Sequence, residues 1–166
     1  DRALAVADGE GRNSVFLAEQ GHDVTAFDAA QVGLDKARAL AKRRGVSVDY
    51  HLAGVEDWDW SRDFDAVVAV FIQFAGPELR DRMFRWMGQA VRPGGLLLLH
   101  GYAPRQVDYG TGGPPSRENM YTTEMLAAAY EGWEFLRLED YDAEVDEGEG
   151  HSGRSALVDL VARKPG

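Results

Sequence analysis

Apolar positions along the chain follow two alternating rhythms. Short runs rich in Val, Leu, Ala and Phe predict strands at 4–7 ("LAVA"), 23–28 ("DVTAFD"), 46–52 ("VSVDYHL"), 65–72 ("DAVVAVFI") and 96–102 ("LLLLHGY"). Between them the spacing turns helical. Val15, Phe16, Leu17 and Ala18 follow a glycine turn and stop at Gly21, and Val32, Leu34, Ala37, Leu40 and Ala41 mark an inward face over 31–44. A third helix is predicted over 77–91, since Pro suits a first turn and Leu79, Met83, Met87 and Ala90 repeat at helical spacing. "RPGG" is expected to turn the chain into the fifth strand. The fourth run is apolar nearly throughout, as expected of a strand buried on both faces of a parallel sheet.

Beyond residue 102 the alternation stops. Residues 103–119 are rich in Gly and Pro ("YGTGGPPS") and predict a long loop with the character of a lid. A short helix over 122–131 and two strands, 133–139 and 156–162, follow. The connection between those strands is acidic and lacks helical spacing, so they are expected to pair as an antiparallel hairpin across a solvated loop. No internal repeat is seen.

Composition narrows the function. A chain of 166 residues with 45% hydrophobic content suits one domain, 1–166, with a sizeable core. A net charge of −10 argues against nucleic acid or an anionic membrane as partner, because both are held by clustered Lys and Arg. With no cysteine there is neither a disulfide framework nor a thiolate metal site, and no metal is expected. No signal peptide or membrane-spanning run is read from the sequence, and a cytoplasmic monomer is expected.

The element order, five βα-type units followed by a helix and a hairpin, resembles the class I S-adenosylmethionine (SAM)-dependent methyltransferases. "DGEGRN" after the first strand, Asp28 closing the second and "RPGG" before the fifth match the family's landmarks in order. "GEGRNSVFLAEQGHDVTAFD", "GLDKARALA", "TGGPP" and "EGHSGRSAL" are similar to its tellurite-resistance-type and thiopurine-type small-molecule branch. The resemblance implies a Rossmann-like α/β fold, with a mostly parallel seven-stranded sheet and a C-terminal antiparallel hairpin. It also implies helices before the first strand, which this sequence lacks. SAM is the implied cofactor, with S-adenosylhomocysteine as product. The implied cofactor-binding set is Ala7, Asp8, Gly9, Glu10, Gly11, Asn13, Asp28, Ala29, Gly54, Val55, Glu56 and Phe71. Two departures stand out: Ala5 replaces the usual first-strand acid, and Gly54 takes the place of the acid often set against adenine.

Chemistry separates SAM from a dinucleotide. Backbone approaches a ligand closely only where side chains are absent, the part assigned to Gly9 and Gly11. A sulfonium and an ammonium are attracted by acids that would repel a pyrophosphate, so Asp8 and Glu10 favour SAM. Ser14 also stands where the third glycine of a dinucleotide fingerprint falls. Asp28, as an ionised carboxylate, has the acceptors for both ribose hydroxyls. Acceptor chemistry stays open among tellurite, selenium compounds, thiols and thiopurine-like heterocycles, with a non-catalytic SAM-binding module and an NAD-dependent oxidoreductase as rival readings. If a base is needed, His151 and His100 are the candidates, with Arg154 as an anion clamp. His22 and His51 are read as structural, and the four tryptophans as packing.

Overall fold

The computed structural model describes residues 1–109, 117–146 and 152–166. The chain runs β1 (Arg2–Val6), α1 (Arg12–Glu19), β2 (Asp23–Asp28), α2 (Gln31–Arg44), β3 (Asp49–Leu52), β4 (Phe64–Val70), α3 (Pro77–Ala90) and β5 (Val91–Tyr102). After these come α4 (Gln106–Tyr109), α5 (Thr123–Ala129), β6 (Glu134–Asp146) and β7 (Ser152–Arg163). Among the described residues one seven-stranded sheet forms, in the order β3-β2-β1-β4-β5-β7-β6. Neighbours from β3 to β5 are parallel, and β7 is antiparallel to both β5 and β6. This is the α/β architecture expected from the sequence.

β1 sits centrally, and its residues 3–6 are buried, as a strand covered on both faces must be. From β1 the chain steps outward to β2 and β3, then returns to lay β4 on the other side. The order therefore reverses between β1 and β4, and the crevice beyond their carboxyl ends is the usual ligand position in an open α/β sheet. The main core gathers Leu4, Val6, Val67, Ala69, Leu97, Leu99 and Leu160 with Met83, Phe84 and Met87 of α3. A smaller cluster of Tyr102, Met120 and Leu157, with Phe71, Val107 and Tyr141 packed against it, lies beyond the end of β5.

Trp58 stacks on Phe27 with ring centroids 4.7 Å apart, and Trp60 stacks on Trp86 at 6.0 Å, so these tryptophans pack as expected. No helix among the described residues is long and apolar enough to cross a membrane.

Three local expectations are corrected. α3 stops at Ala90 and "RPGG" lies inside β5: Phe64 pairs with Val91 and Ala66 with Leu96, so Asp65 alone faces residues 92–95 as a bulge. Asp65 explains why, because its carboxylate accepts from the Arg2 N–H at 2.7 Å and pairs with the Arg92 guanidinium. The hairpin is much longer than predicted: pairing runs from Glu134–Arg163 to Asp146–Ser152. Residues 139–146, read as part of a solvated acidic loop, are strand. The long loop over 103–119 also contains α4, which is held down by Gln106. That buried side chain accepts from the Ala156 N–H through Oε1 at 2.8 Å.

Candidate functional site

The turn between β1 and α1 carries three positive-φ positions, and a fourth follows β4 across the crevice. Gly9 (φ 61°) and Gly11 (φ 93°) tighten the turn, and Ala7 (φ 46°) and Phe71 (φ 54°) adopt the left-handed region without being glycine. A non-glycine residue there costs roughly 1 to 2 kcal/mol. Ala7 follows β1 and Phe71 follows β4, so the strained pair flanks the point where strand order reverses. Such strain clusters where a ligand must be met by backbone.

The two glycines have different tasks. A Cβ on Gly9 would meet no heavy atom within 4 Å, so this position opens onto free space. A Cβ on Gly11 would lie 2.7 Å from the Ala37 Cβ and 3.2 Å from the Tyr50 hydroxyl. Gly11 is glycine so that α1 can close on α2, a packing demand not foreseen from the sequence. Sequence reasoning missed a third glycine. At Gly33 a Cβ would stand 3.1 Å from the Gly9 carbonyl oxygen and 3.4 Å from Asp28 Oδ2. A glycine inside a helical pattern was its only signal.

Asp28 ends β2 beside this turn. Its Oδ1 accepts from the Gly9 N–H at 3.1 Å and its Oδ2 from the Ala30 N–H at 3.0 Å. Each carboxylate oxygen has a second lone-pair site, so Asp28 holds the turn and keeps acceptor capacity for a diol. Ala29, next along, is exposed. Across the crevice, residues 54–57 form a turn in which the Gly54 carbonyl accepts from Asp57 and Trp58. Among the described residues the N–H groups of Val55 and Glu56 donate to no backbone carbonyl. The exposed Glu56 carboxylate lies 3.7 Å from Arg82 of α3. Trp58 Nε1 is buried with no partner.

The acids at the turn behave differently from the sequence expectation. Asp8 faces inward, accepting from the Ser14 N–H at 3.1 Å and the Ser14 hydroxyl at 2.5 Å. It thereby caps the start of α1, while Glu10 is exposed and lies 3.6 Å from Lys36. Asn13, in the first turn of α1, is half-buried. Burial pushes the Asp8 carboxyl up to about 6, against the opposing hydrogen bonds from Ser14 and helped by the nearby charge of Asp28. A raised folded-state value means that Asp8 favours folding most while protonated, below about pH 4, and that this contribution is lost as pH rises to about 6. Relative to Asp8→Asn, wild type should therefore lose up to about 3 kcal/mol of unfolding free energy between pH 4 and pH 7.5. Urea unfolding of both proteins at the two pH values checks this; a pH-independent difference would refute it.

Of the catalytic candidates, His151 lies outside the described residues. Arg154 is exposed, donates to Asp142 Oδ2 at 2.9 Å and stacks over Tyr109 at 5.6 Å. Its guanidinium belongs to a latch in which Asp142 also accepts from Arg105 and the Tyr109 hydroxyl, while Arg105 pairs with Asp140. The Arg154 hydrogen bond, reinforced by those of Arg105 and Tyr109, holds the Asp142 carboxyl at about 2. Arg154 therefore ties the 103–109 segment to the hairpin.

His100 is differently placed. It pairs with Val70 on one side and Asp159 on the other, at the carboxyl end of β5. Its ring meets the Phe71 ring edge-on at 4.9 Å, and Phe71 stacks on Tyr102 at 4.7 Å. Buried Gln73 braces the same rim. Its Nε2 donates to the Tyr102 carbonyl and its Oε1 accepts from the Tyr102 N–H, both at 2.7 Å.

A reversal of strand order over a glycine turn, with an acid closing β2, is the arrangement that class I methyltransferase domains share with dinucleotide-binding folds, so the family is decided by comparison. The methyltransferase domain family matches residues 3–95, and the chain belongs to it. Ubiquinone biosynthesis O-methyltransferase from Rickettsia conorii is 37% identical over 67 residues, which cover 40% of this chain and 23% of that protein. Glycine N-methyltransferase from Rattus norvegicus is 31% identical over 138 residues, or 72% of this chain and 46% of its own length. The chain thus spans less than half of either relative. TehB from Haemophilus influenzae shares the fold with a TM-score of 0.77 and 21% identity, over 98% of this chain and 57% of that one. That likeness is one of fold, and the tellurite-type branch expected from the sequence is not singled out by it.

Proposed function

We propose that this chain binds SAM and transfers its methyl group to a small molecule. One observation carries the reading: Asp28 and the open Gly9 backbone share a hydrogen bond at the reversal of strand order. There a diol and a flat ring can be met by a carboxylate and by the spare N–H groups of Val55 and Glu56. When bound, SAM supplies a methyl carbon activated by its sulfonium. The chain's own residues then orient the acceptor and exclude water. Gly9 and Ala7 face the donor through backbone, and half-buried Phe71, stacked on Tyr102, borders the acceptor. The net charge of −10 favours a small acceptor over a polynucleotide. Tellurite, selenium compounds, thiols, thiopurine-like rings, hydroxyls and amines all remain acceptor classes for this site.

Calorimetry with SAM, S-adenosylhomocysteine and NAD tests the reading. Binding of the first two and silence with NAD is the expected result. NAD binding in their place would turn the site into that of an oxidoreductase. SAM binding with no methyl transfer to any acceptor would leave a SAM-binding module instead.

A further inference from the structure

His100 sits in a built environment that the cofactor site does not explain. Its Nδ1 lies 2.5 Å from Asp159 Oδ1, and Asp159 Oδ2 accepts from Arg137 Nε at 2.8 Å. The Tyr141 hydroxyl donates to the same carboxylate at 2.9 Å. Arg137 is in turn paired with Glu139 at 3.1 Å. These are the charged and titratable groups packed around the ring: Asp159 from β7, and Arg137, Glu139 and Tyr141 from β6. Burial alone would raise the Asp159 carboxyl, but hydrogen bonds from His100, Arg137 and Tyr141 outweigh it and hold the group below the ordinary range. Asp159 is therefore ionised at neutral pH.

An ionised carboxylate only accepts, so the proton between the two groups belongs to His100 Nδ1. A neutral imidazole with its proton on Nδ1 carries a bare lone pair on Nε2. Among the described residues Nε2 has no hydrogen-bond partner. Its position matters as well. Val70 pairs with His100, one residue beyond the level at which Ala69 pairs with Val6. The His100 backbone is thus one strand spacing, about 4.8 Å, from β4 and two from β1 at the carboxyl ends of the strands, and its ring lies between Asp159 of β7 and Phe71, the residue after β4.

We propose that His100 is the base for an acceptor that must lose a proton, a hydroxyl or an amine, and that Asp159 is its positioning residue. This rests on the methyl-transfer reading above and narrows its substrate class. In the step, the acceptor's lone pair forms the bond to the methyl carbon as the carbon–sulfur bond breaks, its electron pair passing to sulfur. The acceptor's proton moves to Nε2, and the positive charge lost by the sulfonium appears on the imidazolium, where Asp159 stabilises it. Proton release to water resets the ring. A thiolate or a tellurium oxyanion has no proton to give up and would leave the pair unused.

The test uses the full chain, with SAM binding confirmed first by calorimetry. Formation of S-adenosylhomocysteine is then followed with catechol, aniline, 2-mercaptoethanol and tellurite as acceptors. With catechol or aniline, His100→Gln should lower kcat about 10²-fold while KM for SAM stays within about twofold. It should also remove the acidic limb of the kcat/KM profile against pH. Asp159→Asn should lower kcat less and displace that limb, with Asp159→Glu restoring part of the loss. Long-range ¹⁵N NMR of the wild-type histidines should show His100 protonated on Nδ1. A merely structural brace between β5 and β7 predicts lower stability in both variants with an unchanged pH profile, and that result overturns the proposal. So does turnover confined to 2-mercaptoethanol and tellurite, absence of turnover with every acceptor while SAM binds, or an Nε2-protonated ring. Failure to bind SAM is a separate outcome, since it removes the methyl-transfer reading itself.

Discussion

Gly11→Val is expected to destabilise the fold by about 2 to 5 kcal/mol. A Cβ there would fall 2.7 Å from the Ala37 Cβ and 2.8 Å from the Ala37 Cα, and the second of these is backbone that cannot rotate away. The residue also sits at φ 93°, outside the range of a branched L side chain. Left-handed strain of about 1 to 2 kcal/mol and overpacking of about 1 to 3 kcal/mol add to a large share of the 5 to 15 kcal/mol typical of a domain. Gly11→Ala, which lacks the branch, should still lower the urea midpoint sharply. Gly9→Ala is the informative contrast, because its Cβ enters open space and only the φ penalty applies. It should stay folded and lose SAM affinity. A Gly11→Ala protein as stable as wild type would show that α1 and α2 do not meet as described.

The second large effect is expected at Asp28. Asp28→Ala removes the acceptor for two ribose hydroxyls, worth roughly 2 to 4 kcal/mol if each charge-assisted bond contributes about 1.5 or a little more. That corresponds to a loss of SAM affinity between about 30-fold and 10³-fold. The sequence alone would have the fold untouched, but the structure adds a cost. The N–H groups of Gly9 and Ala30 lose their partner, so stability should fall by about 1 to 2 kcal/mol as well. Calorimetry and thermal unfolding on the same preparation separate the two. SAM affinity that survives the substitution would remove Asp28 from the cofactor site.

The β-strand and helix order was legible because buried parallel strands are written as nearly continuous apolar runs, as in residues 65–72. The glycine turn and Asp28 were legible by their spacing. What a side chain faces was not. Asp8 and Glu10 read as acids near a ligand, yet one caps α1 and the other meets Lys36, because charge in a sequence carries no direction. Gly11 gives no hint of whether a ligand or Ala37 needs the space. The hairpin reads too short in the sequence because a run of acids has the composition of a loop. Tyr141 and Ala143 in fact alternate with Asp140, Asp142 and Glu144 at the period of an edge strand, and the Arg105 partner of those acids lies 35 and 37 residues away. The Asp159 partner of His100 was invisible for the same reason, being 59 residues distant.

Gln73 gives the acceptor rim an unusual mechanical character. Its amide meets the N–H and the carbonyl of Tyr102 as a neighbouring strand would, and its side chain fills the space a Cβ on Gly101 would need. One side chain thereby imitates a further residue of β4 and extends the β4–β5 ladder past the point where β4 ends. The end of β5 is clamped like sheet interior although its neighbour is a loop. Stiffness on its β4 side comes from one side chain and not from a paired strand, so the Tyr102 backbone, two residues beyond His100, depends there on Gln73.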